Sequence, residues 1–186
     1  MQGGCGSCYA LTAAAALEGY YKTKNGKLID LSPQNIIDCS RKYGNKGCDG
    51  GSVHASFEYA KKHGIAQESK YPYVQTEQRC KWKKKIGIVT IEDYVVVKHG
   101  DELALKHAVA KHGPVAAAVH SLQPDFKVYK SGIYSSSNCQ EPNHAVLIVG
   151  YGTHPIAKDY WIVKNKFALI HLLNYLPAYL FCTNAI

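Results

Sequence analysis

The spacing of apolar and polar residues predicts a helical first half of the chain. Apolar positions recur with the period of an α-helix over residues 8–25, and Gly26 ends the pattern. A second helical pattern covers residues 33–39, where Ser32 is a suitable N-cap before a proline. A third pattern covers residues 53–63, ahead of another glycine. These three segments predict three helices within the first third of the chain.

The second half changes to patterns that favour strands. It opens with one more helical segment, residues 101–112, for which Asp101 is the expected cap. Segments rich in valine, isoleucine and aromatic residues follow at 115–119, 132–134, 145–151 and 160–163. Helices followed by strands predict an α+β protein, which we divide into lobes at residues 1–97 and 98–186.

The first helix begins with a cysteine. Residues 2–9, QGGCGSCY, form a glycine-rich turn that runs into the helical pattern, so Cys8 falls in the first helical turn. Backbone N–H groups without helical partners and the positive end of the helix dipole both favour a thiolate there. Cys8 is therefore a candidate nucleophile.

Cys5 and Cys8 also form a C-x-x-C pattern, which is typical of redox dithiols and of half zinc sites. A redox motif would follow a buried strand, and only residues 1–4 precede this one. A zinc site would need a second close pair, but Cys39 and Cys48 lie far apart in the sequence. Both alternatives stay open at this point, with nucleophilic chemistry preferred.

The composition narrows the function classes. Hydrophobic residues make up 46% of the 186 residues and charged residues 19%, which indicates a globular protein. The net charge of +8 comes from scattered lysines and one basic run at residues 79–85, so we predict no nucleic-acid partner. The apolar run 169–182 is shorter than about 20 residues and is interrupted, so we predict no membrane span.

Three ordered segments resemble one protein family. Residues 2–9 resemble the nucleophile motif of papain and the cathepsin L-like cysteine proteases, although Tyr9 replaces the usual tryptophan. Residues 143–152, NHAVLIVGYG, and residues 160–165, YWIVKN, resemble the family's second and third motifs. The resemblance implies a papain-like two-lobe fold with a helical left lobe, a β-rich right lobe and an active-site cleft between them.

The resemblance also implies the catalytic roles. Cys8 would attack the scissile carbonyl, and His144 would act as its acid and base. Asn165 would hold the imidazole in the right tautomer. The Gln2 side-chain amide and the Cys8 backbone N–H would form the oxyanion hole.

Substrate contacts are assigned by the same resemblance. Residues 47–51, GCDGG, contain a glycine pair along which a peptide would lie as an added strand. The implied contact residues are Gly50, Gly51, Ser52, Val53, Ala118, Asn143 and Ala145. A plain turn held by a disulfide at Cys48 explains the glycines equally well from the sequence alone.

The seven cysteines indicate an oxidising compartment, which we expect to be secreted, lysosomal or digestive. The family pattern implies the disulfides Cys5–Cys48 and Cys39–Cys80 and leaves the nucleophile unpaired. Cys139 has no assigned partner, and Cys182 is the candidate nearest the C-terminus.

Both ends of the sequence depart from the family pattern. No signal peptide or propeptide precedes the motif, so we expect a fragment or a truncated gene model. After Asn165 the chain reads Lys166-Phe167-Ala168 where the family has Ser-Trp-Gly. We expect a frame change or retained intron there, with residues 166–186 a non-family tail. Loss of that tryptophan would orient His144 less firmly.

The sequence thus predicts a cysteine endopeptidase that works through a Cys-His-Asn thiol mechanism and an acyl-enzyme. Its partners would be peptide or protein substrates and propeptide or cystatin-like inhibitors, and it would be a monomer without cofactor or metal. The first residues and the region 67–80 also resemble the digestive cysteine proteases of mites. The alternative is an inactive, truncated homologue that serves as a binding or antigenic protein.

Overall fold

The computed structural model describes residues 2–136, 140–156, 158–165, 172–177 and 184–185, the last two segments as backbone only. The chain divides into two compact units, Met1–Val95 and Val96–Ile186. The first unit contains most of the helical residues, and the second contains a five-stranded sheet. The α+β class predicted from the sequence is confirmed.

Three α-helices build the first unit: α1 (Cys8–Asn25), α2 (Pro33–Cys39) and α3 (Val53–His63). The serines before α2 and α3, Ser32 and Ser52, each accept a hydrogen bond from the backbone N–H three residues further on. These bonds satisfy N–H groups that have no partner inside the helix. The three helices predicted from the sequence are confirmed.

The core of the first unit forms where α1 contacts α2 and α3. Alanines on α1 let the neighbouring helices approach closely, while larger side chains fill the space between them. The fully buried side chains of this core include Ala10, Ala13, Ile36, Ile37, Ala60 and Ile65. Short 3₁₀ turns connect the helices at Arg41–Tyr43, Gly47–Asp49, Glu68–Lys70 and Lys84–Ile86.

Buried polar groups and disulfides fix the loops of this unit. Asn35 is completely buried, and its side chain donates to the Tyr59 hydroxyl and accepts from the Ala66 N–H. The structure contains the disulfides Cys5–Cys48 and Cys39–Cys80, the two pairings that the family resemblance implied. The long loops are therefore tied to the helices at several separate points.

The second unit places helices beside an antiparallel sheet. Its helices are α4 (Glu102–His112) and α5 (Pro124–Val128). Its strands are β1 (Val115–Val119), β2 (His144–His154), β3 (Lys158–Asn165), β4 (Leu172–Pro177) and β5 (Asn184–Ala185). Their order in the sheet is β4-β3-β2-β1-β5. The helix predicted at 101–112 and the strand predicted at 115–119 are confirmed.

One apolar cluster joins α4 to the sheet. It consists of the buried residues Leu105, Val109, Ala117, Val119, Phe126, Val146, Ile148, Trp161 and Val163. The Trp161 indole N–H donates to Glu102 Oε2 at 2.8 Å, which satisfies the one polar atom of that ring. Burial raises the pKa of the Glu102 carboxyl.

Two details of the predicted strands are wrong. Residues 132–134 form only a single bridge at Ile133, because Gly132 has a φ of 93° and interrupts extended backbone. The strand predicted at 145–151 extends to His154 in β2, with a register shift between Ile148 and Gly150. A glycine at such a bulge lets the strand bend without ending.

Among the described residues, no α-helix combines the length and the apolar composition needed to cross a membrane.

The core of the second unit can be tested with two identical substitutions. Ile148 is 0% exposed and Ile156 is 85% exposed. We expect Ile148→Ala to lower the free energy of unfolding by about 2–5 kcal/mol, since it leaves a cavity between β2 and α4. Ile156→Ala should change it by less than about 0.5 kcal/mol. Urea unfolding followed by tryptophan fluorescence measures both, and equal effects would contradict the assigned core.

Candidate active site

Cys8 lies at the first position of α1 and is half-buried. Among the described residues it is the cysteine without a disulfide. The turn before it is fixed by the disulfide of Cys5 to Cys48 and by a 2.8 Å hydrogen bond from the Gly6 N–H to the Cys48 carbonyl. A Cβ on residue 6 would lie 2.6 Å from that carbonyl oxygen, so only glycine permits this approach.

The glycine pair of the predicted substrate turn lies in the same unit. The Asn45 side-chain oxygen accepts from the Ser52 N–H at 2.8 Å and would lie 2.3 Å from a Cβ on Gly51. Gly51 and Ser52 are exposed and Gly50 is half-buried, whereas Val53 is only 2% exposed. The backbone of this turn is therefore accessible, and the side chain of Val53 is packed inside.

Tyr9 connects the nucleophile helix to the substrate turn. Its hydroxyl donates to the Gly47 carbonyl at 2.8 Å, and its ring lies beside Gly51. Burial is the main cause that raises the pKa of Tyr9, so the hydroxyl keeps its proton and remains a donor. The sequence identified Tyr9 only as a departure from the usual tryptophan.

His144 and Asn165 meet in the second unit. His144 is the first residue of β2 and Asn165 the last residue of β3, and these strands are antiparallel neighbours. The distance from His144 Nε2 to Asn165 Oδ1 is 2.8 Å, and each residue is 6% exposed. Because an amide oxygen can only accept, Nε2 carries the proton and Nδ1 carries the lone pair of the neutral ring.

Two opposed effects set the charge of this imidazole. Burial lowers the pKa of His144 below its ordinary value, because the charged form loses hydration. The hydrogen bond with Asn165 acts in the opposite direction and only partly offsets burial. The second unit therefore favours neutral His144 in a single tautomer.

The remaining predicted residues of the second unit either flank His144 in the sequence or lie on the neighbouring strand β1. Ala118 of β1 pairs with Ala145 of β2, and both are half-buried. The Asn143 N–H donates to the Val119 carbonyl at 3.0 Å. Its side-chain oxygen accepts from the Ser121 N–H at 3.0 Å and from the Ser121 hydroxyl at 2.8 Å. These bonds fix the loop that leads into His144.

Gln2 is half-buried, and its carbonyl accepts a 2.7 Å hydrogen bond from the Tyr73 hydroxyl. No sequence pattern pointed to a functional role for Tyr73. Cys139 and Cys182, whose pairing the sequence left open, lie outside the described residues.

The disulfide of Cys5 decides between the interpretations of the C-x-x-C pattern. Its sulfur is bonded to Cys48, so Cys5 forms no redox pair with Cys8 and is no thiolate ligand for zinc. Across the part of the chain that the structure describes, no three His, Cys, Asp or Glu side chains cluster closely enough to hold a metal ion.

The first unit contains a cysteine at a helix N-terminus, and the second contains an imidazole in one fixed tautomer. Both are groups of the kind that nucleophilic thiol chemistry uses. Residues 1–168 match the family described as papain family cysteine protease. A cathepsin L-like protein of Caenorhabditis elegans is 46% identical over 168 residues, which are 89% of this chain and 50% of that protein. Cathepsin S of Mus musculus is 47% identical over 172 residues, with 90% and 50% covered.

A solved structure supports the same relationship. The digestive procathepsin L 3 of Tenebrio molitor larval midgut has a TM-score of 0.87 and 38% identity, covering 94% of this chain and 58% of that chain. The chain belongs to the papain family of cysteine proteases and is similar to its cathepsin L-like members. It spans about half the length of the curated relatives it matches. The predicted papain-like fold is confirmed, and the mite subgroup stays a prediction.

The bond between His144 and Asn165 can be tested from both directions. Asn165→Ala removes the acceptor, so we expect the pKa of His144 to fall further below its ordinary value. Asn165→Asp puts a carboxylate beside Nε2 and should raise the pKa of His144. NMR titration of the His144 ring proton measures both variants. A shift of the same sign in both would contradict the assigned contact.

The Tyr9 hydroxyl provides a stability test. Tyr9→Phe leaves the Gly47 carbonyl without this donor in a buried place, and we expect a loss of about 1–2 kcal/mol in the free energy of unfolding. The matched control is Tyr20→Phe, because the Tyr20 hydroxyl contacts Lys24 on an exposed helix face. Urea unfolding of both variants should show a loss only for Tyr9→Phe, and an unchanged midpoint would overturn the role of this bond.

Proposed function

We propose that the chain is a cysteine endopeptidase that hydrolyses peptide bonds through Cys8, His144, Asn165 and Gln2. The observation that carries this proposal is the 2.8 Å bond between His144 Nε2 and Asn165 Oδ1. It fixes the tautomer in which Nδ1 can take a proton from a thiol, in a chain whose family consists of cysteine proteases. Cys8 at the start of α1 supplies the matching thiol.

In the proposed reaction, Nδ1 of His144 takes the thiol proton and the Cys8 sulfur attacks the peptide carbonyl carbon. The oxyanion accepts hydrogen bonds from the Gln2 side-chain amide and the Cys8 N–H. His144 then gives its proton to the leaving amine as the C–N bond breaks, which leaves a thioester. A water molecule that loses its proton to His144 attacks this thioester, and the acid product departs with regeneration of the thiol.

Substrate binding would use the exposed backbone of the glycine turn. Gly50 and Gly51 would bond an extended peptide as an edge strand does. Ser52, Val53, Ala118, Asn143 and Ala145 would provide the pocket for the side chain two residues before the cut. Burial of Val53 favours contacts made chiefly by the smaller, more exposed members of this set.

The proposed partners and compartment are less specific than the proposed reaction. The structural similarity to a procathepsin supports a propeptide as a partner. Cystatin-like inhibitors would compete with substrates for the same residues. Two disulfides support an oxidising environment, either secreted or lysosomal and digestive. We retain the monomer as a prediction.

Turnover of a short fluorogenic peptide tests the proposal directly. We expect Cys8→Ala and His144→Ala to lower kcat by about 10⁴-fold or more, since nucleophile and base act as a unit. His112→Ala is the matched control, because it removes an exposed imidazole at the end of α4. It should retain full activity.

A thiol-directed epoxide supplies the second measurement. It should inactivate the wild-type chain with one equivalent bound at Cys8, which peptide mass mapping identifies. Labelling of Cys8→Ala at the wild-type rate, or a folded wild-type chain without peptide turnover, would overturn the proposed function.

A further inference from the structure

Resting on the proposed function, we infer that Tyr73 is a positioning residue for the oxyanion hole, since its hydroxyl joins the Gln2 backbone to the turn before Cys8. The Tyr73 hydroxyl donates to the Gln2 carbonyl at 2.7 Å. The same oxygen lies 2.7 Å from the Ser7 hydroxyl. Tyr73 thus touches both segments that would supply oxyanion donors, without touching the reacting atoms itself.

The direction of these hydrogen bonds follows from counting protons. A phenol has one proton, and Tyr73 uses it toward Gln2, so the Ser7 hydroxyl must donate to Tyr73. The competing contact from the Ser7 hydroxyl to the Cys5 carbonyl is longer, at 3.3 Å. A continuous chain of donors therefore runs from Ser7 through Tyr73 to Gln2.

The two ends of this chain of hydrogen bonds differ in burial. Ser7 is 0% exposed and directly precedes Cys8, so its position is set by the packed end of α1. Gln2 is followed by Gly3 and Gly4, both exposed, and Gly3 has a φ of 65°. Two successive glycines give this segment many accessible conformations. The bond from Tyr73 limits them and relates Gln2 to the nucleophile.

Tyr73 is itself anchored elsewhere in the first unit. Its backbone N–H donates to Glu68 Oε1 at 2.7 Å. Burial raises the pKa of the Tyr73 hydroxyl, so it stays protonated and keeps donating. Tyr73 is therefore held by Glu68 and connects the buried Ser7 to the half-buried Gln2.

Tyr73→Phe removes the hydrogen bonds to Gln2 and Ser7 while keeping the aromatic ring. A misplaced oxyanion donor weakens stabilisation of the transition state more than substrate binding, so kcat should fall by about ten- to a hundredfold with KM within about twofold. Affinity for a peptide aldehyde, whose thiol adduct carries an oxygen in the same place, should fall by a similar factor. Alkylation of Cys8 by iodoacetamide forms no oxyanion and should keep its rate.

A matched variant and a double variant separate positioning from general damage. Tyr43→Phe removes another partly buried hydroxyl of the first unit, one that bonds to His63, and should leave kcat unchanged. In a Gln2→Ala background, Tyr73→Phe should have little further effect on kcat, since the amide that it positions is gone.

The possible failures are distinguishable. A folded wild-type chain without peptide turnover would overturn the proposed function and this role with it. An active wild type with unchanged kcat in Tyr73→Phe would overturn the role of Tyr73 alone. A parallel fall in the iodoacetamide rate, or full additivity with Gln2→Ala, would also overturn it, since either would place the effect outside the oxyanion hole.

Discussion

The first unit depends on the junction between the turn at residues 5–8 and the turn at residues 47–51. A disulfide joins these turns covalently, and the Gly6 N–H bonds to the Cys48 carbonyl beside it. The approach is so close that a side chain at position 6 would collide with backbone. Tyr9 adds a third connection one residue after the nucleophile. These three adjacent links hold the candidate nucleophile next to the candidate substrate turn within this unit.

In the second unit, the pairing of β2 with β3 places Asn165 beside the His144 imidazole. Here the constraint is strand register, because Leu147 opposite Lys164 sets which residues of β2 and β3 come together. A slip by one residue would turn Asn165 to the opposite face of the sheet and remove the partner of His144. The apolar cluster under the sheet resists such a slip, since Val146 and Val163 would leave the core with it. Hydrophobic packing in this unit therefore determines a hydrogen bond and, through it, a tautomer.

The sequence predicts best those features that are determined by residues close together in the chain. Ser32 and Asp101 cap helices through contacts three residues away, so both helices were visible without a structure. The sequence carries no signal for contacts between residues that are far apart in the chain. Tyr73 and Gln2 are separated by 71 positions, and no periodicity links them. Gly152 lies inside β2, and a Cβ there would be 2.5 Å from the Tyr160 hydroxyl on the neighbouring strand. Whether a glycine ends a strand or admits a neighbour depends on the partner strand.

The opposed effects on His144 bear on how the proposed chemistry would proceed. A buried ring with a lowered pKa resists becoming an isolated cation, and the bond from Nε2 to Asn165 restores only part of that loss. Proton transfer from Cys8 would not create an isolated cation, because it produces a thiolate at the same moment. The two opposite charges would stabilise each other more strongly in a dry site than in water. In the proposed reaction, attraction to the thiolate would therefore offset part of the penalty that burial imposes on a charged His144, while Asn165 keeps Nε2 occupied.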